Sequence, residues 1–160
     1  MTAEPATSNP PAGFGKDVND YLLRHVTLAD AKAGATSSID FAVSGLLIAS
    51  LPDSGVARFF ALLAALLLIL SLLSGIAVIF PRTAVNPQGI IYWEGILGHK
   101  SLDAYLSVIS TSDAARIERE YAEQNWSISQ LLVSKFTWTQ RSIWLLLAGM
   151  LVSLFSLALR

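Results

Sequence analysis

Chemistry needs convergent groups, and the reactive side chains of this chain are few and scattered. There is no Cys, and His25 and His99 are the only imidazoles. That removes disulfides, thiolate metal sites, iron–sulfur ligation and Cys nucleophiles. A His-based metal centre or triad would need both histidines, and they stand in no ligating spacing. Glu118, Glu120 and Glu123 alternate with Arg116 and Arg119, the pattern of a solvated helix face and not of a catalytic carboxylate pair. No catalytic set and no metal or cofactor site emerge, so the chain reads as a protein that is not an enzyme.

Basic residues that break their local pattern point to binding instead. Lys32, Arg82 and Arg141 each lie at the expected cytoplasmic end of a different apolar run, and folding would gather them at one depth. The functional reading is a site for an anionic ligand such as a phosphate; the other is contact with lipid head groups. Lys135 takes an apolar place on a helical seam, where an ammonium must be paired, bind an anion or snorkel outward. Trp93, next to Tyr92 in an irregular stretch, is placed either to stack on a base or to anchor a loop. Asp40 lies inside an apolar run, and an intramembrane carboxylate is a functional candidate by default. It is protonated, bonded to a neighbouring helix, or lining a pore in an oligomer. With 11 basic and 12 acidic residues and a net charge of -1, the chain has no field for binding nucleic acid.

The elements that must position these residues are apolar. The chain is 53% hydrophobic and 14% charged, against about 25% charge in a soluble domain. Phe59 to Phe80 gives 22 residues without a charge, about 33 Å of helix and enough to cross a bilayer. Ser142 to Leu159 gives 18 more, and Ala33 to Leu51 gives 19 with Asp40 as its one acid. Pro52-Asp53-Ser54-Gly55 is a turn signal that makes a hairpin of the first two runs. The expected spans are therefore about 33–51, 59–80 and 142–159. Small residues at four-residue spacing (Gly34, Ser38 and Ala42; Ser71 and Gly75; Gly149 and Ser153) favour close helix contact and oligomers. Nine of the eleven basic residues fall on one side of this topology. The N-terminus and the segment 81–141 are then cytoplasmic, with Arg58 and Arg160 outside.

Residues 1–17, rich in Pro, Ala, Ser and Thr, read as a disordered leader before a single domain over 18–160. Ile90 to Trp93 reads as a loop or small strand. Ser101 caps a short helix through Ser110, and Asp113 to Leu159, free of Pro, reads as one helix running into the membrane. Its seam of Ala114, Ile117, Tyr121, Gln124, Ile128, Leu131, Lys135 and Trp138 matches a stripe of Val18, Leu22, Val26 and Ala29. The expected fold class is an all-α membrane protein: three transmembrane helices carrying a cytoplasmic helical stalk, with 83–111 packed on its side.

Taken in order, Ala29-Asp30-Ala31-Lys32-Ala33-Gly34, then Phe80-Pro81-Arg82, Ile91-Tyr92-Trp93, Tyr105-Leu106 and Ser127-Ile128-Ser129 followed by Lys135 resemble the membrane effectors of Pycsar anti-phage systems. The resemblance covers about residues 17 to 158. It implies a partner pyrimidine nucleotide cyclase, cyclic UMP or cyclic CMP as ligand, and an effector that impairs the cell inner membrane and so ends infection abortively. Lys32, Arg82 and Lys135 lie on the matching motifs; Arg141 and Trp93 join the ligand-binding candidates from the residues alone. The alternative is a constitutive membrane-anchored interaction or accessory subunit with no nucleotide sensing.

Overall fold

The computed structural model describes residues 11–53, 55–80 and 89–159. Among them are five helices and no strand: α1 (Phe14–Ala49), α2 (Gly55–Ile79), α3 (Trp93–Leu97), α4 (Leu102–Ser110) and α5 (Ala114–Ala158). Local chemistry accounts for most of the boundaries. Gly13 has φ 84°, a left-handed turn that glycine adopts without a Cβ clash, and α1 starts at the next residue. Residues 14–17, expected in the leader, are therefore helical, while residues 1–10 lie outside the described part. No Pro interrupts Phe14 to Ala49, so the amphipathic stripe and the first apolar run form one continuous helix. Pro52 ends that path, and Gly55 at φ 83° turns the chain into α2, where Arg58 Nη1 donates to the Asp53 carbonyl at 2.5 Å.

The stretch at 90–93 is not a strand. Tyr92 is extended and serves as N-cap, and Trp93 opens α3, which stops at Gly98; four β-prone residues without a pairing strand do not hold an extended conformation. Ser101 Oγ accepts from the Ala104 amide at 3.2 Å, capping α4 as its sequence foretells. Asp113 Oδ1 accepts from the Arg116 amide at 2.8 Å and starts α5. That helix runs 45 residues, about 68 Å at 1.5 Å per residue.

The chain divides into two compact units. In the first, formed by residues up to Leu23 and from Thr83 to Ser129, the Glu118 carboxylate accepts from the amides of Gly13 at 3.1 Å and Gly15 at 3.0 Å. It thereby caps the open N-terminus of α1 with an anion. Asn19 Nδ2 donates to Asn125 Oδ1 at 2.9 Å, and Asn125 Nδ2 donates to the Gly15 carbonyl at 2.8 Å. The backbones come so close that a Cβ on Gly15 would meet Tyr121 Cβ at 2.7 Å. Glu120 accepts from the Ile90 amide at 2.7 Å, and Tyr105 Oη donates to the Ile90 carbonyl at 3.0 Å. Those two bonds pin the α3–α4 segment to α5.

The second unit spans Arg24 to Arg82 and Gln130 to Arg160. Here α1 and α5 run parallel and α2 runs antiparallel to both. Leu47, Ala61, Ala64, Leu68 and Leu146 form the apolar core, packed by Val43, Leu51, Ala65 and Val152. A Cβ on Gly149 would lie 2.9 Å from Leu68 Cδ2, so this glycine sets the spacing of α5 on α2. The outer surface is as apolar as the core: Phe41 and Leu46 are each 72% exposed, with Ile48, Leu62, Leu66, Leu151 and Leu154 also open. A bundle with this exterior is built for lipid.

Two helices, α2 and α5, are long and apolar enough to cross a membrane. The run at 33–51, expected as a further span, is not among them. Its hydropathy is lowered by polar residues of which Thr36 and Asp40 point inward, while Ile39, Phe41, Leu46 and Ile48 face out. Thr36 and Asp40 share the buried face with Ala33, Val43 and Leu47 while large apolar side chains point out, so a whole-run average hides how little of the polarity is exposed.

Candidate functional site

The polar residues of the second unit meet at two levels. At the first, Lys135, 7% exposed, directs its ammonium to the Asp30 carboxylate and donates to the Val78 carbonyl at 2.7 Å. Val78 is in the last turn of α2, whose carbonyls carry the negative end of the helix dipole and lack intrahelical partners. One cation thus ties the C-terminal end of α2, through Val78, to the middle of α1, through Asp30, and to the middle of α5, which carries Lys135. The seam position turns inward here, not outward along the helix.

At the second level, Asp40 is 1% exposed. Its Oδ2 lies 2.8 Å from Ser71 Oγ, and Ser71 Oγ lies 2.8 Å from the Ser142 carbonyl and 3.3 Å from Ser142 Oγ. Ser142 Oγ in turn donates to the Ser71 carbonyl at 3.0 Å. This links α1, α2 and α5 through one carboxyl and two hydroxyls. Asp40 Oδ1 and the nearby Ser37 Oγ are buried and have no hydrogen-bond partner. A Cβ on Gly75 would meet Ser37 Oγ at 2.6 Å, Ser142 Oγ at 3.5 Å and the Ala33 carbonyl at 3.6 Å. Glycine at this position is what lets the polar groups converge.

The other expected ligand contacts are dispersed. Lys32 and Arg141 are exposed in the second unit. The Arg141 guanidinium stands 4.8 Å from the centre of the Trp138 ring, a cation–π contact, beside an open groove of about 610 Å³ lined by Leu70, Leu73, Trp144 and Leu145. Trp93, 57% exposed, belongs to the first unit, with its ring centre 5.7 Å from that of Tyr92. Arg82 lies outside the described residues. Of the four described candidates, Lys135 alone is buried.

Sequence reasoning missed Asp30, Ser71 and Ser142 as partners. Asp30 carried a faint signal: it follows Ala29 on the stripe that matches the seam of Lys135, and opposite charges on matched stripes are candidates to pair. Ser71 carried only its small-residue spacing with Gly75, which marks helix contact and not a bonding partner, and Ser142 carried no signal, since hydroxyls are common in apolar helices and mostly bond to their own backbone, as Thr36, Ser74 and Thr139 do here.

Comparison with known proteins bears on the whole chain. A family model described as a Pycsar effector protein domain matches residues 15–160. No curated protein and no solved structure matches the chain.

Proposed function

The chain belongs to the Pycsar effector family, and on that premise we propose that it senses cyclic UMP or cyclic CMP made by a partner cyclase and then impairs the inner membrane. The family match over residues 15–160 is the observation that carries this reading, because it covers both units and links the chain to cyclic-nucleotide signalling. The two apolar helices support the membrane as the site of action. The exposed apolar residues Ile39, Phe41, Leu46 and Ile48 of α1 support a third span over about 33–51, in a multi-pass topology with the N-terminus and 81–141 in the cytoplasm. Gly34 has open space where a Cβ would stand, and Ser38 and Ala42 are exposed on the same helix; this free small-residue face supports a homo-oligomer.

The ligand is an anion with a base. Lys32, Arg82 and Arg141 are the proposed phosphate contacts, and Trp93 is the proposed stacking surface for the pyrimidine. Lys135 enters by exchange: a phosphate that takes its ammonium releases Asp30 and the Val78 carbonyl together. The ligand then favours a state in which the end of α2 is no longer tied to α1 and α5, which is the differential affinity a switch requires.

Replacing Arg82 and Lys135 together by Ala should abolish nucleotide binding measured by calorimetry in detergent while leaving the protein in the membrane fraction. Unchanged affinity for both nucleotides eliminates that site assignment. Cells carrying the chain and an active pyrimidine nucleotide cyclase should depolarise and admit an impermeant dye; membranes that stay tight overturn the proposed effect.

A further inference from the structure

Arg141 stands at the start of the apolar run of α5 without an anion. The ion pairs among the described residues are Lys16 with Asp20 and Lys135 with Asp30. The Arg141 guanidinium has instead the Trp138 ring, 4.8 Å from its centre. A ring face attracts the charge but does not satisfy the planar fork of N–H donors. An arginine on a lipid-facing helix is costly in that condition, and it reaches for the interface or for a counter-charge.

Beside it lies the open groove of about 610 Å³ between α2 and α5, within the range of about 300–1,000 Å³ that suits one small amphiphile. Ser142 bonds to Ser71 and Lys135 to Val78, which fixes how the two antiparallel helices pass each other. Trp138 therefore faces the Ala77 end of the groove, and Trp144 and Leu145 face the Leu70 end. Ser74, buried on the α2 side, donates to the Leu70 carbonyl of its own helix at 2.8 Å, so its hydroxyl is already engaged. Arg141 is the one charged residue among those lining the groove. Helical side chains lean toward the helix N-terminus, and the guanidinium accordingly lies back over Trp138, at the Ala77 end. The groove is thus cationic at one end and walled by hydrocarbon along the rest.

We propose that this groove binds a single anionic phospholipid, with its phosphate on the Arg141 fork and one acyl chain laid past Leu73 toward Leu70 and Trp144. A guanidinium takes two phosphate oxygens at once, and indoles at either end suit the head-group boundary. The chain leaves other hydrocarbon to enter the groove and gains little by it, so selection falls on the head group. No acid lines the groove to receive the ammonium of an ethanolamine or choline head group, which favours a lipid with net negative charge. The site goes beyond nucleotide sensing and does not need it; the nucleotide phosphate proposed above for Arg141 would compete for the same fork.

The test places the full-length chain in phosphatidylcholine vesicles containing a minority of phosphatidylglycerol with brominated acyl chains, which quench an indole on contact. At equal mole fraction, brominated phosphatidylglycerol should quench tryptophan fluorescence several times more than brominated phosphatidylcholine. Unbrominated phosphatidylglycerol should relieve the excess, a reading that needs no variant. Trp144→Phe should lower the excess, Arg141→Gln should abolish it, and Arg141→Lys, with the charge but not the fork, should keep part of it. Equal quenching by the two lipids, or an excess that survives Arg141→Gln or is unchanged in Trp144→Phe, overturns the site. Complete relief by glycerol phosphate at constant ionic strength assigns the fork to a free anion and overturns the lipid assignment. So does loss of the excess as the protein is concentrated and cross-links form between copies at the groove, which gives the groove to a second copy of the chain. No nucleotide or cyclase enters the measurement, so its failure leaves the nucleotide-sensing reading standing.

Discussion

Lys135 sits where the energetic stakes of a single residue are highest. Its removal leaves Asp30 without its cation and the Val78 carbonyl without a donor in a water-poor setting. Breaking a fully buried ion pair costs about 3–5 kcal/mol, but the Asp30 side chain is 38% exposed and water reclaims part of that loss. Lys135→Met should therefore destabilise the protein by about 1–3 kcal/mol in detergent unfolding. Asp30→Asn added to it should cost little more, since the stranded charge is gone; fully additive losses would mean that the two side chains do not interact. Ser71→Ala removes the centre of the second polar level and should cost about 0.5–2 kcal/mol, the range for hydrogen bonds between membrane helices. At this scale the sequence was half legible. A lysine on an apolar seam announces itself from one helix, but its acceptors lie 105 and 57 residues away, and only folding selects them. Asp40 likewise stood out alone, while Ser71 was marked only as a small residue and Ser142 looked like any other serine.

At the scale of elements, the legible parts were those governed by local rules. Helix α5 could be read end to end because Asp113 to Leu159 contains no Pro and one Gly, and α4 because Ser101 and the following apolar spacing define it. Ser101→Ala should cost about 1 kcal/mol, seen as faster amide exchange in α4 and not elsewhere. Ile90 to Trp93, read as a loop or small strand, is a loop over 90–92, and the helix α3 that follows from Trp93 was not foreseen; Ile90 is held at both amide and carbonyl by Glu120 and Tyr105. Close helix approach was legible as small-residue spacing, but not which glycine makes which contact. Gly15 lay in no small-residue motif, yet its missing Cβ admits Tyr121. Gly15→Ala should destabilise by about 1–3 kcal/mol through overpacking, more than the roughly 1 kcal/mol gained in helix propensity. A thermal midpoint equal to that of the parent would contradict the close approach.

At the scale of the molecule, the apolar excess in the composition reappears as a surface and not only as a core. A bundle whose exterior carries Phe41, Leu46, Leu151 and Leu154 should stay in the membrane pellet after alkaline carbonate extraction; release into the supernatant would contradict a spanning fold. Hydropathy made α2 and the end of α5 evident because each is apolar around much of its girth, whereas in α1 the buried Thr36 and Asp40 and several serines dilute the average. The burial of Asp40 bears on how the chain is made. Synthesis runs from the N-terminus, so Asp40 emerges before either serine that receives it. Ser71 follows 31 residues later and Ser142 71 residues after that, which at about 5–20 residues per second is a wait of about 2–6 s and then about 4–14 s more. During the first interval α1 has no partner to shield its carboxyl from lipid, and the favourable course is for it to linger at the insertion machinery until α2 arrives. In the proposed three-span topology the hairpin then enters the bilayer as a pair, and α5 completes a site that two helices have already shaped.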